Sequence, residues 1–117
     1  MKTGTLLALF AAMCVTSVTA ETPNYTAAEA VKHVGEVATV TDRVDGVHQA
    51  GKGNIFLNMG GKYPNQAFTA WIPSANAAQF SNPQQYEGKT VAVSGKITLY
   101  RGKSEIIVAN VSQVLIK

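Results

Sequence analysis

From Val37 to Lys117 the chain is a series of short β-branched runs, most of them followed by glycine or proline, and this punctuation constrains its fold most. Val37–Val44, Ile55–Met59, Ala67–Ile72, Lys89–Tyr100 and Ser104–Ala109 read as strands, and Val114-Leu115-Ile116 is expected to close the chain against the core. Alternation assigns faces within them. Ile55, Leu57 and Met59 point one way with Phe56 and Asn58 opposite, and Phe68, Ala70 and Ile72 oppose Thr69 and Trp71. In the long fourth strand Val91, Val93, Ile97 and Leu99 are expected to face inward. Gly46 and Gly95 sit inside two of the runs, where a glycine marks a bulge or sharp bend.

Two helical segments interrupt the pattern. Thr26-Ala27-Ala28-Glu29 has the spacing of a capping box, so a short helix is expected through Ala30, Val31 and His33, stopped by Gly35. Val31 and Val34 need apolar company, so Phe56 and Trp71 are expected either to lie open on the outer face or to be covered by this helix. A second short helix, capped by Ser74, is expected to run to Phe80 before the Pro83–Gly88 connection. The order is strand, strand, strand, helix, strand, strand after a leading helix. Bends in the first and fourth strands let short strands pair at both ends and remove exposed edges. This order predicts an all-β fold, a five-stranded Greek-key barrel of the OB type with minor helices. A sandwich or an SH3-like barrel uses similar strands, but the helix between the third and fourth strands favours the OB arrangement.

The first twenty residues read as a separate element. Lys2 precedes the apolar run Leu6–Met13, too short to span a bilayer comfortably, and Val18-Thr19-Ala20 suits signal-peptidase cleavage. The expected division is a signal peptide over 1–20 and one OB-type domain over 21–117, with a periplasmic or secreted destination and no membrane span after cleavage. Cys14 is the sole cysteine, and Met13 is a poor residue ahead of a lipidated one. Cleavage removes it, leaving no disulfide, thiol nucleophile or thiolate ligand. It also removes Lys2 from the ten Lys and Arg, against seven Asp and Glu, so the domain is only mildly basic.

Several groups of residues together resemble a family of small exported bacterial OB-fold domains, described as nucleic-acid-binding-like and also found attached to secreted nucleases. They are Glu29-Ala30 with His33-Val34-Gly35-Glu36, Phe56-Leu57-Asn58, Tyr63-Pro64-Asn65 and Phe68-Thr69-Ala70. The later segments Gly88–Ile97, Tyr100–Ile106 and Ser112-Gln113-Val114 fit the same pattern. The resemblance covers nearly all of 21–117 and rests mainly on turn glycines and core residues, so it speaks to fold more than to function. Trp71 stands where an aliphatic residue is usual, and Asp42 where a glycine is more frequent.

OB folds generally take extended ligands across the second and third strands, between the loop joining strands one and two and the loop joining four and five. Candidate ligand-binding residues follow from that placement. Phe56, Tyr63 and Trp71 are the rings for stacking, and Lys52, Lys62, Arg101 and Lys103 are the cations for phosphates. The expected partner is single-stranded DNA or RNA, with an envelope protein, a glycan, or a small ligand or cation as alternatives on the same face of a monomer. No catalytic, metal or cofactor site is assigned. His33 and His48 are the only histidines, Asp42 and Asp45 fall on opposite faces of a regular strand, and no metal-ligand or phosphate-loop spacing occurs.

Overall fold

A computed structural model of the chain describes residues 22–117; the expected signal peptide lies outside them. Seven strands form one sheet: β1 (Asn24–Tyr25), β2 (Val37–Gln49), β3 (Ile55–Met59), β4 (Phe68–Ile72), β5 (Thr90–Tyr100), β6 (Lys103–Ile107) and β7 (Val114–Ile116). The order is β1-β2-β3-β4-β6-β5-β7, and a further β2–β5 pairing closes β2, β3, β4, β6 and β5 into a ring. Only the β4–β6 and β1–β2 contacts are parallel. Seven strands replace the five expected, because the segment before the leading turn and the last residues each add a short strand beside β2 and β5.

Closure depends on the two long strands changing partners. β2 pairs with β5 over Val37–Arg43 and with β3 from Val44 onward, and its register shifts between Val44 and Gly46. This is the bulge that Gly46 signalled. β5 pairs with β2 and β7 in its first half, then with β6 from Ile97 to Tyr100. Gly95 stands at that change with φ +154°, and a Cβ there would lie 2.7 Å from Ile106 Cγ2, so β5 comes this close to the Ile106 side chain only without one of its own.

The inward faces fill the barrel. Leu57, Met59, Phe68, Ile72, Val91, Val93, Ile97 and Ile106 are all fully buried. Leu99 corrects its assignment: it has inward parity, yet β5 has passed the barrel mouth there and the side chain is 54% exposed. Among the described residues no helix is long and apolar enough to cross a membrane.

The expected helices form as 3-10 turns, Ala30–His33 and Ser74–Gln79, followed by Pro83–Tyr86. The capping box does form: Thr26 N donates to Glu29 Oε1 at 2.9 Å and Glu29 N to Thr26 Oγ1 at 3.3 Å. Gly35 takes the left-handed conformation, φ +99°, that ends the turn. Ser74 caps nothing; its own N–H donates to Asn54 Oδ1. Ala27 and Ala30, rather than Val31 and Val34, face the core, and both valines are exposed. One and a half turns present too narrow a face to bury both sets.

Asp42 anchors this leading segment: its Oδ2 accepts from Ala27 N at 3.0 Å. Beyond it, Tyr25 stacks on His33 with ring centroids 3.8 Å apart, and Glu36 receives the Tyr25 hydroxyl at 2.6 Å and contacts His33 Nδ1 at 2.8 Å. The Tyr25 hydrogen bond, then that of His33, holds the Glu36 carboxyl below the ordinary glutamate value of 4.5. The Thr26 backbone N–H does the same for Glu29. Burial instead raises Glu105.

These shifts act in opposite senses. The lowered pair contributes stability that is present above the unfolded value and lost as pH falls through the folded values. Glu105 contributes stability at low pH that is lost as pH rises through its raised value. Thermal unfolding followed from pH 7 down to about pH 3 is therefore expected to show a small acid loss from the exposed Glu29 and Glu36, and Glu36→Gln is expected to make it shallower. An unchanged acid limb in that variant refutes the assignment.

Candidate nucleic-acid interface

The outer face of β3, β4, β6 and the end of β5 carries a cleft of about 600 Å³. Strand register organises its side chains into rows. His48 pairs with Phe56, Phe56 with Trp71, and Trp71 with Ile107, which gives a ring-rich row across β2, β3, β4 and β6. Next to it runs a polar row in which Gly46 pairs with Asn58, Asn58 with Thr69, Thr69 with Glu105, and Glu105 with Thr98. At the far side the β5–β6 turn brings Tyr100 opposite Lys103.

The walls are aromatic. The His48 and Phe56 rings lie 5.9 Å apart at an interplanar angle of 24°. Tyr63 and Pro64 enter from the β3–β4 loop, and Tyr63 is 75% exposed. Tyr100 stands on the opposite rim with the Arg101 guanidinium 5.2 Å from its ring centroid. A smaller hollow of about 220 Å³ adjoins through Phe56, Tyr100 and Glu105, with Asn54 and Trp71 as its remaining lining.

The floor is polar and buried. Asn58, Gln66 and Thr69 are no more than 6% exposed, and Ser104 is fully buried. Gln66 Nε2 donates to Thr69 Oγ1 at 3.1 Å, and Thr69 Oγ1 donates to Asn58 Oδ1 at 3.0 Å. Ser104 donates to the Ala67 carbonyl and Lys103 Nζ to the Gln66 carbonyl, tying the β5–β6 hairpin to the β3–β4 loop at 3.1 and 3.0 Å. Two buried atoms of this face, Gln66 Oε1 and Trp71 Nε1, have no partner among the described residues.

Arg101 holds its place at a conformational cost. It adopts φ +52° and Gly102 φ +82°, the pattern of a type I′ two-residue turn, where glycine or asparagine is normally found.

Five of the seven residues singled out from sequence meet here. Phe56, Tyr63, Arg101 and Lys103 line the cleft, and Trp71 lines the adjoining hollow. Trp71 is half-buried. Lys52 and Lys62 line neither. Lys52 is carried outward by the Gly51–Gly53 turn, and Lys62 runs along the bulge, its Cγ 4.0 Å from where a Gly46 Cβ would stand. The Arg101 turn therefore faces the β3–β4 loop rather than Lys52 in the β2–β3 turn. Asn58, Gln66, Thr69, Tyr100 and Glu105 were missed, although outward parity with Phe56, Trp71 and Lys103 marked Asn58, Thr69 and Glu105. Asp45 serves the loop, accepting from Gly61 N at 2.7 Å, and no cluster among the described residues has the makings of a metal site.

No family model and no curated protein matches the chain. Solved structures do. A putative aspartyl-tRNA synthetase from Leishmania major Friedlin superposes with a TM-score of 0.53 at 11% identity, over 89% of this chain and 22% of that one. The aspartyl-tRNA synthetase of Entamoeba histolytica gives 0.54 at 16%, over 85% and 25%. An OBody bound to hen egg-white lysozyme gives 0.56 at 17%, over 86% and 98%. The shared fold is of the OB type. The chain spans about a quarter of the length of either synthetase and nearly the whole of the OBody.

Proposed function

We propose that this protein is an exported OB-fold binding protein, not an enzyme, that takes single-stranded nucleic acid in the cleft between the β3–β4 loop and the Arg101 turn. In this reading β2 to β6 are the five-stranded Greek-key barrel of the OB fold, with β1 and β7 as additions. The β2–β5 closure and the parallel β4–β6 pairing support it. The observation that carries the function is the cleft itself: exposed rings on both walls, a hydrogen-bonding floor, and a guanidinium held at the mouth in a conformation arginine disfavours. Rings stack on bases, the floor meets base edges, and the cation meets phosphate. That two similar folds occur in aspartyl-tRNA synthetases is consistent with this reading. The leader-like first twenty residues support export.

The site has few cations. Arg101 and Lys103 are the Arg and Lys side chains in its lining, and Glu105 stands among them. Binding is therefore expected to be short-range and moderately salt-dependent, with a slope set by about one or two phosphates. The weak charge also suits a second reading, a protein or glycan ligand, and the OBody is a protein-bound example of the fold.

Trp71 reports on the site. A mixed-sequence single-stranded 12-mer is expected to quench its fluorescence at low salt, with the effect lost at high salt. Arg101→Gly is expected to weaken the binding several-fold while raising unfolding stability by about 1 kcal/mol, because it removes a left-handed non-glycine residue. Absence of quenching at low salt, with the protein folded, removes the nucleic-acid reading and leaves the protein or glycan one.

A further inference from the structure

The smaller hollow beside the cleft is lined by Asn54, Phe56, Trp71, Tyr100 and Glu105, three rings and one carboxylate with neither Arg nor Lys among them. Strand parity gathers these side chains on the outer face. Asn54 and Phe56 alternate with the buried Ile55 and Leu57, Trp71 with Ala70 and Ile72, and Glu105 with Ser104 and Ile106. The pairs Thr98–Glu105 and Tyr100–Lys103 put Tyr100 on the face that Glu105 occupies. Register sets the spacing, since Phe56 pairs with Trp71, and Glu105 pairs with Thr69, two positions before Trp71 on β4. Glu105 is half-buried, yet its carboxylate enters neither of the two ion pairs among the described residues. The nearby cations are turned elsewhere: Lys103 Nζ donates to the Gln66 carbonyl, and the Arg101 guanidinium lies over the Tyr100 ring. Burial raises the Glu105 pKa, as it does for a carboxylate that lacks a counter-charge.

We propose that this hollow binds an alkylated ammonium group, held among Phe56, Trp71 and Tyr100 with Glu105 as its counter-charge. The face of an aromatic ring is negative and attracts a cation, most strongly where water is displaced. The chain already uses one of these rings in that way, with Arg101 5.2 Å from the Tyr100 centroid. A methylated nitrogen suits the lining better than a primary ammonium. Its methyl groups pack on the rings, and it has no N–H to satisfy. A primary ammonium brings three donors to a lining in which Asn54 Oδ1 already accepts from Ser74 N. At about 220 Å³ the hollow is smaller than the roughly 300–1,000 Å³ of pockets for drug-sized ligands, so it fits a head group rather than a whole large molecule. Phe56, Tyr100 and Glu105 also line the adjoining cleft, but the cationic lining residues Arg101 and Lys103 belong to the cleft alone. Cation binding in the hollow is independent of whether the cleft takes nucleic acid.

The test titrates choline chloride against the intact protein, beside neohexyl alcohol, its uncharged carbon isostere, and ethanolamine, its primary-ammonium analogue. Trp71 fluorescence gives one readout, and the N-methyl proton resonance of choline, which ring currents move upfield, gives a second. Choline is expected to bind at least about tenfold more tightly than either analogue. Glu105→Gln, which keeps the shape and removes the charge, is expected to weaken choline several-fold and leave the isostere unchanged. Phe56→Leu is expected to weaken choline and reduce the upfield shift, with circular dichroism checking the fold of both variants. Equal binding of choline and neohexyl alcohol reduces the hollow to an apolar surface and overturns the proposal. So does ethanolamine binding as tightly as choline, an undiminished affinity in Glu105→Gln, or no choline binding at millimolar concentrations. Vesicles of phosphatidylcholine separate two sources of the group. Retention of the protein on them assigns a lipid head group, and choline binding without retention assigns a free small cation. The 12-mer titration is independent of these outcomes, so the nucleic-acid reading stands or falls separately.

Discussion

Gly61→Ala is expected to lower the unfolding free energy by about 2–4 kcal/mol, from backbone strain and overpacking together. Gly61 adopts φ +121°, and a Cβ there would lie 2.8 Å from the Asn65 carbonyl oxygen and 3.4 Å from Gln66 Cα. Those are backbone atoms, so no side-chain rotation relieves the contact. The same residue's N–H is held by Asp45 Oδ2, which ties the loop to the bulge of β2. For a domain this size the loss corresponds to a fall of roughly 10–25 °C in Tm, read by thermal circular dichroism. Gly88→Ala is the control: φ is +82° there, but nothing lies within 4 Å, so only conformational strain of about 1 kcal/mol applies. If the two variants melt together, the steric account fails. Because the β3–β4 loop carries Tyr63 and Gln66, Gly61→Ala is also expected to weaken ligand binding in whatever fraction remains folded.

Phe56→Ala carries the largest expected effect on binding, a loss of roughly 5–150-fold in affinity for a single-stranded oligonucleotide, the worth of one stacked base. Phe56 is the one side chain shared by both hollows and the His48 stack, and it lies on the outer face, half-buried. The fold should survive its loss, since the barrel interior on β3 is supplied by Ile55, Leu57 and Met59. Lys52→Ala provides the contrast, because Lys52 lines neither hollow and its removal is expected to change affinity by less than about twofold. Titrations of the two variants at low salt decide the matter. Equal affinities for both would show that charge spread over the surface, rather than the cleft, holds the ligand.

Much of this geometry was readable residue by residue. Period-two alternation assigned Leu57, Phe68 and Ile72 to the interior and Phe56 and Trp71 to the exterior, because a pleated strand permits only two faces. Gly46 and Gly95 marked the places where β2 and β5 exchange partners, the first at a shift of register and the second where a Cβ would meet Ile106. The helices were less legible. Ala27 and Ala30 pack inward where Val31 and Val34 were expected, since a 3-10 turn of four residues lacks the 3.6-residue period on which that reading relied. The cleft floor was missed for a related reason. Asn58 and Thr69 look like ordinary solvent-facing polar residues until the β3–β4 loop and the Arg101 hairpin close over them.

Local chemistry alone therefore determined the five strands of the ring, most of their inward faces and their bends, because each depends on a residue and its nearest neighbours. The tertiary structure decided which turns meet. Lys52, Lys62 and Lys103 carry the same side chain, yet of the three only Lys103 lines the cleft, where it donates to the carbonyl of Gln66, 37 positions away. Sequence spacing cannot report that distance. It is set by the closure of β5 onto β2, which swings the Arg101 turn across to the β3–β4 loop and encloses the polar floor between them.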